Sequence, residues 1–132
     1  MLADDELLKG FDTGSLPDDA FHHQEHVRVA WIYVRQHGLP DALGTFSTAL
    51  RRFAAAKGKP QLYHTTITWA FLLLIGERLR RGSATSWAEF VQENPDLLSW
   101  KPSVLDRYYS PDRLWSALAR ETFVFPDRYA LS

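Results

Sequence analysis

Apolar residues recur along this chain at three- and four-residue intervals, the period of helices, and no alternating stretch is long enough to build a sheet. The pattern predicts an all-α fold, a single domain over 1–132 built as a bundle of about five helices with an apolar third helix at its centre. Residues 1–20 read as a lead-in, with a short acidic amphipathic piece from Asp4 to Phe11 followed by turn formers at 12–17. The first main helix begins near His22 or His23 and stops at Gly38, where glycine admits a left-handed backbone, with Pro40 soon after. Glu25 stands three residues after His22 and makes half of a capping box with His22 in the cap position. A second helix runs from Asp41, its N-cap, to Lys57 with Gly58 as its stop, and Leu43, Phe46, Leu50 and Phe53 form its core stripe.

The third helix starts after Pro60 and continues to about Arg81, closed by Gly82. Its segment from Trp69 to Ile75 is apolar all round, the mark of a helix surrounded by others. Gly76 costs roughly 1 kcal/mol of helix propensity against alanine, so its expected use is close packing of a neighbour. A fourth, shorter helix opens at Thr85 or Ser86, with Glu89 completing a capping box, and ends before Pro95. From Pro95 to Ser110 short helical turns wrap the core. A last helix runs from Ser110 as N-cap, with Pro111 at its first position, to about Glu121, and the tail at 122–132 is expected to lie extended in a groove of the bundle.

Four of the five histidines fall at two of these helix starts. At about 100° per residue, His23, His26, Val27, Ala30, Tyr33 and Val34 share one face of the first helix, whereas Glu25, Arg28 and Arg35 point elsewhere. His64 lies on the face of Ile67, Thr68, Phe71 and Ile75, where a buried imidazole must find a partner. If the two helices pack together, His23, His26 and His64 converge.

Three readings stay open from the residues alone. Two histidines at i and i+3 plus a third from a neighbouring helix can hold a divalent transition metal such as Zn, Fe, Mn, Ni or Cu and leave positions open for water or substrate. Alternatively the histidines supply hydrogen bonds to an organic ligand in an aromatic pocket, in a non-catalytic binding module, or they bond only to loops and core. A third reading is a metal-free site with His64 or His26 as general base, oriented by Tyr33, Tyr63 or Thr68. No carboxylate shares the histidine faces, which argues against a Ser-His-Asp arrangement, and neither a P-loop nor a dinucleotide fingerprint occurs.

Composition narrows the partners. Hydrophobic residues make up 45% of the chain and aromatics 14%, enough for an aromatic-rich folded core throughout. The net charge of −1 lacks the basic excess that binding to phosphate backbones exploits, so no nucleic-acid partner is expected. Basic clusters at Arg51-Arg52, Lys57/Lys59 and Arg78/Arg80/Arg81 fall in the last turns of helices, where cations meet the negative end of the dipole. Without cysteine there is no disulfide, thiolate nucleophile or Cys-ligated metal. The start of the chain is acidic and unlike a signal peptide, and the longest apolar run is about half of what a membrane span needs. The expected setting is the cytoplasm, with a small-molecule ligand or substrate and no membrane.

Phe21-x-His23-x-x-His26 with Val29-Ala30-Trp31, Tyr63-His64-x-Thr66-Ile67-Thr68, Tyr108-Tyr109-Ser110-Pro111 and Phe123-Val124-x-Pro126-Asp127 resemble the motifs of a family of small, largely uncharacterised bacterial all-helical proteins. The resemblance covers residue 11 to about residue 128. It gives weight to His23, His26 and His64 as a functional centre and places Tyr63, Tyr108 and Tyr109 next to it, without implying a reaction. Two positions depart from the pattern: His22 stands where Thr is frequent, and Thr65 where Glu is. Asp106 and Arg107 precede the tyrosine pair and are expected at the surface. The reading that follows is a small metal-dependent enzyme of small-molecule metabolism, with His23, His26 and His64 as ligands and His64, Tyr63 and Tyr109 at the reaction centre. Its alternatives are the binding module and the metal-free acid–base site.

Overall fold

A computed structural model describes residues 2–128, apart from the side chain of Asp18. Residues 129–132 of the expected tail, and Met1 of the lead-in, lie outside the described residues. The described chain holds seven α-helices and no strand, only an isolated bridge between Trp100 and Ser103. The helices are α1 (Asp4–Thr13), α2 (His23–His37), α3 (Leu39–Ala56), α4 (Thr65–Arg81), α5 (Trp87–Glu93), α6 (Pro111–Leu114) and α7 (Ala117–Glu121). Among them no helix is long and apolar enough to cross a membrane.

The bundle is built on α2, α3 and α4, each packed against the other two. The eight residues from Val27 to Val34 are all buried, so α2 is enclosed on every side along its middle. That includes Arg28, whose spacing placed it away from the buried face. The acidic lead-in closes over this side: Arg28 Nε donates to Asp4 Oδ1 at 2.9 Å and Nη1 to the Leu2 carbonyl at 2.8 Å. A buried guanidinium needs such a carboxylate, and here it pins α1 to the core. α4 is central as its apolar run predicts, with Ala70, Phe71, Leu72, Ile75 and Gly76 buried, although Leu73 reaches the surface. Gly76 does serve close packing. A Cβ built there would lie 2.8 Å from Leu39 Cδ2, so the first residue of α3 occupies the space that a side chain would fill.

Three boundaries differ from the sequence reading, each for a local reason. α3 begins at Leu39, not Asp41, because Pro40 fits in a first helical turn whose N–H groups lack intrahelical partners anyway. Gly38 joins α2 to α3 at φ +81°, ψ 156°, a positive-φ conformation that glycine adopts without strain. The third main helix starts at Thr65, after a 3-10 turn at Pro60–Leu62, and His64 is its N-cap. The stretch expected as one helix from Ser110 to Glu121 is two short ones. Ser116 breaks it by accepting the Ala119 N–H at 3.1 Å as a new N-cap and donating to the Arg113 carbonyl at 2.7 Å.

Residues 122–128 lie against the bundle, and several residues of the motifs noted above fasten them. Thr66 Oγ1 donates to the Thr122 carbonyl at 2.8 Å and accepts the Val124 N–H at 3.1 Å. The Tyr109 hydroxyl donates to the Val124 carbonyl at 2.8 Å. Asp127 receives the Ser110 N–H at 2.7 Å and its hydroxyl at 2.6 Å, and Arg113 Nε donates to the Phe125 carbonyl at 2.6 Å. Motif residues far apart in sequence therefore meet where the irregular segment 123–127 crosses α4 and α6.

Candidate functional site

α2, α3 and α4 leave a pocket between them of about 510 Å³. Val27 and Ala30 of α2, Phe46, Leu50 and Phe53 of α3, and Ile67 and Phe71 of α4 give it apolar walls. His23, His26 and His64 all line it, together with Tyr63, Trp100, Trp115 and Arg120. The three rings line one cavity but differ in what they offer.

His64 has no nitrogen to spare. Its Nδ1 accepts the Ile67 N–H at 3.1 Å, which caps α4, and its Nε2 lies 2.7 Å from the Leu114 carbonyl. A backbone N–H only donates and a carbonyl only accepts, so the ring is the neutral Nε2–H tautomer with both nitrogens engaged. Burial holds its pKa below the ordinary value of 6.5, partly offset by the Leu114 bond, and the nearby Arg120 lowers it further. Trp115 closes over the ring edge at 5.5 Å between centroids.

His23 is half engaged. Nε2 lies 2.9 Å from the Leu97 carbonyl and must donate to it, which leaves Nδ1 as an acceptor. The ring sits between Phe71 and Trp100, each 5.1 Å away, and burial lowers its pKa despite the Leu97 bond. The carbonyl is presented by the 3-10 turn Pro95–Leu98, itself held by Arg78, which donates to both Asp96 oxygens at 2.9 and 2.8 Å and to Asn94 Oδ1 at 2.9 Å.

The His26 imidazole makes no hydrogen bond to any described residue. Its imidazole is tilted against Phe21 at a centroid distance of 4.1 Å, and Phe21 in turn contacts Phe53 and Phe11. The ring is half-buried and borders the cavity. Burial, with His23 adding to it, pushes its pKa down to about 4, so it is neutral near pH 7 with one donor and one acceptor facing no protein partner.

Other predicted residues lie elsewhere. Tyr33 is outside the pocket and donates to Asp12 Oδ1 at 2.8 Å, which fixes α1 rather than orienting a histidine. Tyr109 is buried on the tail, and burial raises its pKa to about 12. Tyr63 does line the pocket, its ring covered by the Arg51 guanidinium at 4.7 Å. The Thr68 hydroxyl donates to the His64 carbonyl at 2.7 Å and cannot also orient the ring by donation. Glu25 accepts the His22 N–H at 2.7 Å, the half capping box that its spacing suggests. At position 65 the hydroxyl of Thr65 is buried without a hydrogen bond.

Among the described residues no three His, Asp or Glu side chains come together as a group that could hold a metal. As a third ligand His64 would have to release either the cap of α4 or the Leu114 carbonyl. Sequence reasoning overlooked Phe46, Leu50 and Phe53 as pocket walls, because their spacing is equally that of a core stripe. Trp115 and Arg120 carried no signal, since only the break at Ser116 turns them toward His64. The chain matches no protein-family model, no curated protein and no solved structure.

Proposed function

We propose that the protein is a small-molecule binding module, whose ligand fills the aromatic pocket between α2, α3 and α4 and hydrogen-bonds to His26. The observation that carries this reading is the state of His26, a neutral imidazole in an apolar wall with no protein partner. A ligand hydroxyl or amide in the pocket would pair with the nitrogens that the fold leaves open. Nδ1 of His23 adds a second acceptor. The volume of about 510 Å³ lies within the range of roughly 300–1,000 Å³ typical of organic-ligand sites, and few convergent polar groups in an apolar cavity is their usual make-up.

An acid–base role fits less well. A base whose pKa is near 4 is weak at neutral pH, whereas proton transfer favours a group poised near the working pH. A metal centre on His23, His26 and His64 is the competing reading, and the free nitrogens of His23 and His26 are what favour it. Stoichiometric metal in protein purified without a polyhistidine tag, with melting lowered by chelation, would support it over the binding module.

The binding reading is tested by titrating a library of small aromatic and aliphatic alcohols, amides and acids into isotope-labelled protein while following imidazole and pocket methyl resonances. Binders should shift His26 together with Val27, Leu50 and Ile67, and His26→Phe should abolish those shifts. If no compound perturbs His26, the reading is overturned.

A further inference from the structure

Among the described residues, the charged side chains that line the pocket are Lys57, Lys59 and Arg120, with no Asp or Glu beside them. Arg120 is the informative one. It is partly buried on α7, at the end of the pocket where Trp115 and His64 meet, and its Nη1 donates to the Gln61 carbonyl at 2.9 Å. Among the described residues it has no ion pair with a carboxylate, although it also lines an outer groove that it shares with Glu121. A guanidinium presents five donors in a planar fork, so one carbonyl leaves most of them unused by that bond. Here an apolar chamber has a cation at one end and an imidazole inside.

From this arrangement we propose that the ligand is an amphipathic organic anion, with an apolar body among Phe46, Leu50, Phe53 and Phe71 and a single carboxylate or sulfonate head paired with Arg120. The inference rests on the binding reading above and names its ligand class. A planar carboxylate matches the guanidinium fork in two parallel hydrogen bonds, whereas a neutral ligand offers it no counter-charge.

The test uses two fluorescent probes with the same aromatic body, anilinonaphthalene sulfonate and neutral N-phenylnaphthylamine, titrated into the full-length protein and into Arg120→Gln and Arg120→Lys. The protein should bind the anionic probe more tightly by about tenfold or more, the scale of one charge-assisted hydrogen bond. Arg120→Gln should erase that preference while leaving the neutral probe's affinity and the melting temperature nearly unchanged, and Arg120→Lys should restore part of it. Equal affinity for both probes, or a preference untouched by Arg120→Gln, overturns the anion assignment and leaves the pocket reading standing. Failure of both probes to bind overturns the two together. If Arg120→Gln lowers the melting temperature, the neutral probe's affinity in that variant tells a lost pocket from a lost charge partner, and only the latter upholds the proposal.

Discussion

Three imidazoles line one cavity, and the number of nitrogens that each has already committed to the backbone separates their roles. His64 has committed both, so His64→Ala should cost about 2 kcal/mol, the upper range for loss of an N-cap, with the Leu114 carbonyl left unpaired as well. His64→Asn can still accept the Ile67 N–H and should recover much of that loss in chemical denaturation. Equal losses in the two variants would contradict the capping role. His26 has committed none, and its consequence is acid sensitivity. Its pKa in the folded protein is about 4 against 6.5 in the unfolded chain, so as pH falls below 6.5 the unfolded state takes up the proton first. Stability from this group is complete above 6.5, declines from there toward about 4 and then levels off. His23 and His64, also lowered, act with the same sign. Melting curves across that window should show the decline in the native protein and a shallower one in His26→Leu; a flat profile for the native protein would refute the assignment.

Elements show why some of this was legible in sequence and some was not. The helices announce themselves by period and caps, because Gly38, Ser86 and Ser110 act locally and within a few residues of their partners. The burial of Arg28 was not legible, since it depends on α1 returning from the chain's start to place Asp4 beside it. Neither was the split at Ser116, where one hydroxyl outweighs the helical propensity around it. The tyrosines illustrate the same limit: Tyr63 and Tyr109 look alike in sequence, but one faces the pocket and the other holds the tail. Tyr109→Phe removes the bond to Val124 and should destabilise by about 1–2 kcal/mol, with faster amide exchange at 122–125. Tyr63→Phe should leave stability nearly unchanged. Hydrogen exchange and denaturation on the pair check both statements, and a larger loss for Tyr63→Phe would reverse the assignment.

Across the whole molecule, the family-like motifs divide into two groups. Thr66, Tyr109, Ser110 and Asp127 tie the tail to α4 and α6, whereas Phe21, His23, His26 and Tyr63 surround the cavity. Helical period put His23 and His26 on one face of α2 and His64 on the apolar face of the third main helix, and left their convergence conditional on packing. What it could not reveal is the space between them, because a cavity is a property of three helices at once and Phe46, Leu50 and Phe53 would look the same in a filled core. The central claim is that this space exists to hold a small molecule. Ala54, half-buried on α3, lines it without belonging to the tightly packed core, so Ala54→Trp should fill it with little disturbance elsewhere. The most direct measurement is a titration of N-phenylnaphthylamine into the native protein and into Ala54→Trp. Saturable one-to-one binding by the native protein, lost in the variant at unchanged melting temperature, is the expected result; absence of saturable binding, or equal binding by both proteins, would contradict the claim.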